Sequence, residues 1–127
     1  MSDRHEVESR IRELHSARVR GDLAAMCRVF ADDGIFKIQG SSNGQAVEIS
    51  ASGIREFKPW LAMMSKTFRL NDYALLSQVI DGSQAAAHWR ADIHSKITGR
   101  IVPTELIDLI ELRAGRIARY TEFFVSR

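Results

Sequence analysis

Residues 85–127, AAAHWRADIHSKITGRIVPTELIDLIELRAGRIARYTEFFVSR, decide the fold. Three strand-like runs are separated by turns at Thr98-Gly99 and Ala114-Gly115, and ionisable residues recur at every second position. His88, Arg90, Asp92 and His94 alternate along the first run. Asp108 interrupts the apolar second run, and Tyr120 and Glu122 share a face of the third. Side chains two apart on a strand point to the same face. Directly opposed residues on neighbouring strands also share a face. Three-residue loops ending at Gly99 and Gly115 would therefore bring Arg90, Asp92, Asp108, Tyr120 and Glu122 together. Two-residue loops, or a bulge, would part Asp108 from Arg90 and Asp92.

Upstream, the spacing predicts strands over 70–80, 84–97, 101–112 and 116–126, joined by short glycine turns in an antiparallel meander. Before them, residues 3–20 read as an amphipathic helix with Val7, Ile11 and Leu14 on one stripe and an Asp3–Glu6 capping box. Leu23, Met26, Cys27 and Phe30 mark a short second helix in which Cys27 is a core thiol. Asp32-Asp33-Gly34 reads as a turn. Strands over 35–39 and 45–51 follow, with residues 40–44 as a hairpin turn. No Lys-Ser/Thr pair follows those glycines, so a phosphate loop is disfavoured. Ile54, Phe57, Leu61, Met64 and Phe68 give a third helix, which Pro59 either kinks or restarts. Helices segregated onto one face of a long antiparallel sheet make an α+β fold: one domain, a curved cone of sheet around about three N-terminal helices.

Composition narrows the partners. With 127 residues and 45% apolar content, the chain can build one core but not two. Eighteen basic and 16 acidic residues are scattered, so no nucleic-acid footprint is expected. No apolar run is long enough to span a bilayer and the first residues lack an apolar signal segment, so a cytoplasmic protein without membrane contact is expected. A single cysteine forms no internal disulfide. His88 and His94 lie six residues apart on one strand, roughly 20 Å at ~3.3 Å per residue, so they share no metal. No metal and no cofactor are expected.

Several stretches together resemble the SnoaL-like or ketosteroid-isomerase-like group of the nuclear transport factor 2-like superfamily. They are Arg20-Gly21-Asp22-Leu23, Val29-Phe30-Ala31-Asp32-Asp33-Gly34, Asp108-Leu109-Ile110-Glu111-Leu112 and Tyr120-Thr121-Glu122-Phe123-Phe124. The resemblance covers essentially the whole chain and implies the cone fold. It leaves the activity open, because the group hosts isomerases, cyclases, hydrolases and inactive binders. Matched onto the steroid isomerases, the proton-moving aspartate becomes Ile38, the oxyanion tyrosine becomes Leu14, and the partner acid becomes Asp108. Arg90-Ala91-Asp92 with Glu122 is similar to the acid–arginine–acid set of limonene-epoxide-hydrolase-like proteins, whose water-holding residues become Phe36 and Ile38.

That resemblance implies a small-molecule pocket in which Glu122 is the base, Asp92 the acid and Arg90 their bridge, with Asp108 joining if the turns allow. Phe36, Ile38, Trp60, Met64, Phe68, His88 and Tyr120 are expected to line it. The implied chemistry is cofactor-free isomerisation, cyclisation or hydrolysis of a small apolar, polyketide- or steroid-like compound. Three alternatives stay open: a solvated strand face, a structural ion network, and a non-catalytic ligand-binding or interaction domain. Apolar residues on the second sheet face (Trp89, Ala91, Ile93, Ile117, Phe123 and Val125) predict a homodimer through the outer face.

Overall fold

Val7, Ile11, Leu14 and Ala17 fall on one stripe of the first helix, and all four are buried. That stripe seats the helix in the hollow of the sheet. The computed structural model describes residues 4–42 and 44–126; Asp3 of the expected capping box lies outside them. Three helices, α1 (Arg4–Arg20), α2 (Leu23–Val29) and α3 (Ile54–Thr67), accompany six strands. The strands are β1 (Phe30–Ser42), β2 (Gln45–Ser52), β3 (Phe68–Asp81), β4 (Gln84–Ser95), β5 (Ile101–Arg113) and β6 (Arg116–Ser126). They form one curved, unclosed sheet in the order β2-β1-β6-β5-β4-β3. All pairings are antiparallel except β1 with β6, which is parallel and joins the N-terminal hairpin to the C-terminal meander.

Local chemistry fixes the joints. Asp22 caps α2, its side chain accepting from the Ala25 N–H at 3.1 Å. Helix α3 runs unbroken through Pro59, which sits on its exposed side. Asp32-Asp33-Gly34 does not turn the chain. It is an irregular segment within β1, where the pairing with β6 shifts between Phe30 and Ile35. Phe30, Phe36, Phe57 and Tyr120 stack against one another beneath the helices, with Phe36 and Tyr120 nearly parallel at 5.7 Å.

The turns decide which side chains face inward. Ser95 donates its N–H to Arg100 O at 2.9 Å, so the β4–β5 loop holds four residues rather than three. That one residue flips the parity: Ala87 opposes Asp108 and Trp89 opposes Leu106. Odd residues of β4 and even residues of β5 consequently share the concave face. Between β5 and β6 the loop is the two-residue Ala114-Gly115 turn, both residues at positive φ, 53° and 78°. A register shift after Glu111 then restores the even pairing, so that Asp108 opposes Glu122.

Gly40 marks a close approach inside the cone. A Cβ there would lie 2.4 Å from the Phe124 ring and 2.6 Å from the Phe124 carbonyl oxygen. Gly40→Ala is expected to cost about 1–3 kcal/mol through overpacking, seen as a lower urea midpoint at unchanged slope.

Candidate functional site

Asp108 and Glu122 are 0% and 3% exposed, and they oppose each other on β5 and β6. Two carboxylates side by side on a concave apolar face demand compensation. The neighbouring strands offer none, since Ala87 opposes Asp108 and Ile38 opposes Glu122. Compensation comes from α1. His15 and Arg18 lie three residues apart on its inward face and meet one acid each.

His15 lies between two partners. Its Nε2 is 2.8 Å from Asp108 Oδ2, and its Nδ1 is 2.6 Å from the Tyr73 hydroxyl of β3. With the imidazole proton on Nε2, His15 donates to Asp108 and accepts from Tyr73. Burial, helped by Asp108, pushes the Tyr73 phenol up to about 12, which keeps that hydroxyl a donor. The indole of Trp89 packs 4.8 Å from the His15 ring, and the Arg18 guanidinium stands 5.1 Å above it.

Arg18 Nη1 donates to Glu122 Oε2 and, at 3.3 Å, to the Tyr120 hydroxyl. Tyr120 in turn donates to the same Oε2 at 2.6 Å. Both donors converge on one carboxylate oxygen. Burial is the largest influence on Glu122 and raises its carboxyl above the usual range. Arg18 opposes that rise and Asp108 adds to it. The Tyr120 phenol is held well above its ordinary value by burial and by both acids. Burial disfavours the Arg18 charge, but Glu122, Tyr120 and Asp108 outweigh it.

Arg18 and Glu122 meet on one wall of a cavity of about 730 Å³ between the sheet and α3, which Arg100 and several serines and threonines also line. Its other walls are mainly apolar, with Ile38, Met64, Leu106 and Phe124 nearest in kind to a lipophilic ligand. Such a volume accommodates a ligand of drug-like size. Among the described residues, no three His, Cys, Asp or Glu side chains are placed to hold a metal ion. Also among them, no helix is long and apolar enough to cross a membrane.

The SnoaL-like domain profile matches residues 11–120. The chain belongs to the SnoaL-like family. No curated protein matches it in sequence. Among solved structures, it is similar to a provisionally named isomerase of Bacillus subtilis, at 19% identity and a TM-score of 0.82, covering 98% of this chain and 89% of that one. It is similar to an LEH-like epoxide hydrolase of M. tuberculosis, at 15% identity and 0.74, covering 94% and 83%. A provisionally named polyketide cyclase of Xanthomonas campestris gives 19% and 0.73, covering 96% and 92%. At these identities the likeness is one of fold.

On this SnoaL-like frame the residues expected to converge are divided. Arg90 and Asp92 lie on the convex face of β4, because the four-residue loop reversed its parity relative to β5. Arg90 is exposed and donates to the Asp72 carbonyl at 3.1 Å. The expected Arg90–Asp92–Glu122 cluster does not assemble, and Arg18 stands where Arg90 was expected. His88 is also convex, 3.7 Å from Glu105. Trp60 is 38% exposed on α3, while Phe36 and Tyr120 are packed in the core away from the cavity wall. Ile38, Met64, Phe68 and Glu122 do border the cavity. Trp89, Ala91 and Ile93, expected on the outer face, lie on the concave side, the first two buried and Ile93 lining the cavity, and Ile117 turns inward at the bulge. Cys27 packs at the edge of the main core, its thiol pushed up by burial.

Arg18→Met would strand a buried carboxylate and is expected to cost about 3–5 kcal/mol. Adding Glu122→Gln should recover much of that loss, a coupling that a double-mutant cycle in urea reads directly. The pH dependence carries a definite sign. Glu122 holds its proton to higher pH when folded, so its contribution is complete below the ordinary value of 4.5 and is lost as pH rises through the native value. The stability of Glu122→Gln relative to wild type should therefore improve as pH rises from about 4 to 7.

Proposed function

We propose that this protein binds a small, largely apolar carbonyl compound in its cone and moves a proton on it without a cofactor, with Glu122 as the base. The observation that carries this reading is the carboxylate on one wall of a large, mainly apolar cavity, with both its donors on Oε2. The other oxygen, Oε1, is left free to take a proton from a bound ligand. A desolvated carboxylate with a raised pKa is a stronger base than one in water.

The chemistry follows from the donors. Glu122 Oε1 takes a proton from the carbon beside a carbonyl. The C–H electron pair moves into the C–C bond and the carbonyl pair onto oxygen, giving an enolate. Arg18 uses only Nη1 for Glu122 and Tyr120, so its remaining N–H groups can stabilise that oxygen. Return of the proton to a different carbon completes an isomerisation; attack of the enolate carbon on a second carbonyl completes a cyclisation. The isomerase and cyclase descriptions of the structural relatives support this class. Asp92 and Arg90 have no part in it. The bridge role passes to Arg18, which contacts Glu122 and lines the cavity, while Tyr120, set back from the cavity wall, holds Glu122 Oε2 in place.

A second reading has its own observation. Arg18 and Tyr120 saturate Oε2 before any ligand arrives, as in a structural ion network, which favours a carrier without turnover. One experiment separates the two. A panel of enolisable polyketide- and steroid-like ketones is incubated with the protein in deuterated water, and deuterium uptake is followed by NMR. Uptake that falls by ~10²-fold or more in Glu122→Gln supports the base. Saturable binding with no protein-dependent uptake leaves the carrier.

We propose in addition a homodimer through the convex face. Ile107, Leu109 and Phe123 are 42%, 45% and 39% exposed there, and Ile107 opposes Phe123 across the β5–β6 ladder. A contiguous apolar patch on a sheet face is a common contact surface. Light scattering at micromolar concentration is expected to give twice the mass of one chain, and Phe123→Arg to return it to a monomer.

A further inference from the structure

Asp108, His15 and Tyr73 do not line the cavity described above, and the proton transfer described there does not use them. They nevertheless form a hydrogen-bonded chain from two buried side chains to a half-buried hydroxyl. Asp108 has one oxygen bonded to His15 and the other, Oδ1, buried without any hydrogen-bond donor. A buried carboxylate oxygen with no donor costs stability and calls for an explanation. Its neighbour supplies one. Asp108 is the register partner of Glu122, and directly opposed Cβ atoms lie only about 4.5–5.5 Å apart.

We propose that Asp108 is a positioning residue for Glu122: clamped by His15 and Tyr73, its carboxyl group is held directly beside that of Glu122 and makes Glu122 the stronger base. This rests on Glu122 being the base. The groups facing Glu122 are few. Helix α1 gives Arg18, strand β5 gives Asp108, its own strand gives Tyr120, and β1 gives only the apolar Ile38. Burial is the largest influence against the ionised carboxylate; Arg18 and Tyr120 favour it, and of the facing groups Asp108 opposes it. His15 binds Asp108 through one oxygen only, so the clamp fixes the carboxyl group without bonding both oxygens. Tyr73 matters because its hydroxyl bonds Nδ1 and holds the imidazole in place against Asp108.

The test needs no substrate. Glutamate δ-carbons are labelled with ¹³C in the whole protein, the Glu122 signal is assigned by its loss in Glu122→Gln, and its titration is followed by NMR. Asp108→Asn is expected to lower the Glu122 midpoint by about one pH unit or more. Tyr73→Phe, which alters a half-buried position, is expected to lower it in the same direction by less. A midpoint unchanged in folded Asp108→Asn overturns the proposal. If that variant does not fold, an unchanged midpoint in Tyr73→Phe overturns it. Because the titration reads proton binding and not turnover, it can succeed where the deuterium exchange fails, and the reverse.

Discussion

Helix α1 supplies the cations for a sheet that supplies the acids. Asp108 and Glu122 oppose each other on the concave face, and no strand beside them carries a basic residue inward. Removing either helix side chain would leave a buried charge without its partner, a loss worth several kcal/mol. The seat of α1 in the cone is thereby fixed by two polar contacts as well as by its apolar stripe. His15 meets Asp108 and Arg18 meets Glu122, three residues and almost one turn apart. A rotation of the helix by one residue would break both. The hydrophobic stripe alone fixes orientation loosely, because apolar contacts are non-directional. The two hydrogen-bonded pairs make it specific.

The architecture was legible in the sequence because periodicity reports it. The strand pattern after residue 70 and the apolar stripe of the first helix both survive in the structure within a few residues. The site was legible only by residue type. Asp108 stood out as an acid in an apolar strand, and Glu122 as an acid on the closing one. Their partner was misassigned because face depends on loop length, and a glycine at position 99 does not distinguish a three-residue from a four-residue loop. The four-residue loop sent Arg90 and Asp92 outward, while the bulge beyond Glu111 kept Asp108 and Glu122 together.

His15 and Arg18 were missed for a different reason. A histidine and an arginine in a charged helix read as solvated. Yet a signal was present: His15 is four residues after Ile11, and Arg18 is four after Leu14. Both therefore lie along the buried stripe and not on its polar flank. Polar residues at core-stripe spacing, in a chain that also places acids on apolar strands, are candidates for buried pairs.

The apolar first strand constrains what the cavity can do. Phe36 and Ile38 stand where related chemistries need polar groups, and neither can hold a water or move a proton. Arg18 and Glu122 meet on one wall, Ile38, Met64, Leu106 and Phe124 supply apolar surface, and Arg100 with serines and threonines lines other parts. A ligand that gained most by burial would be one with a lipophilic body and a single polar end. Enolisation requires only a base, an oxyanion donor and exclusion of solvent. In the proposed reading Glu122 is the first and Arg18 the second, side by side on one cavity wall.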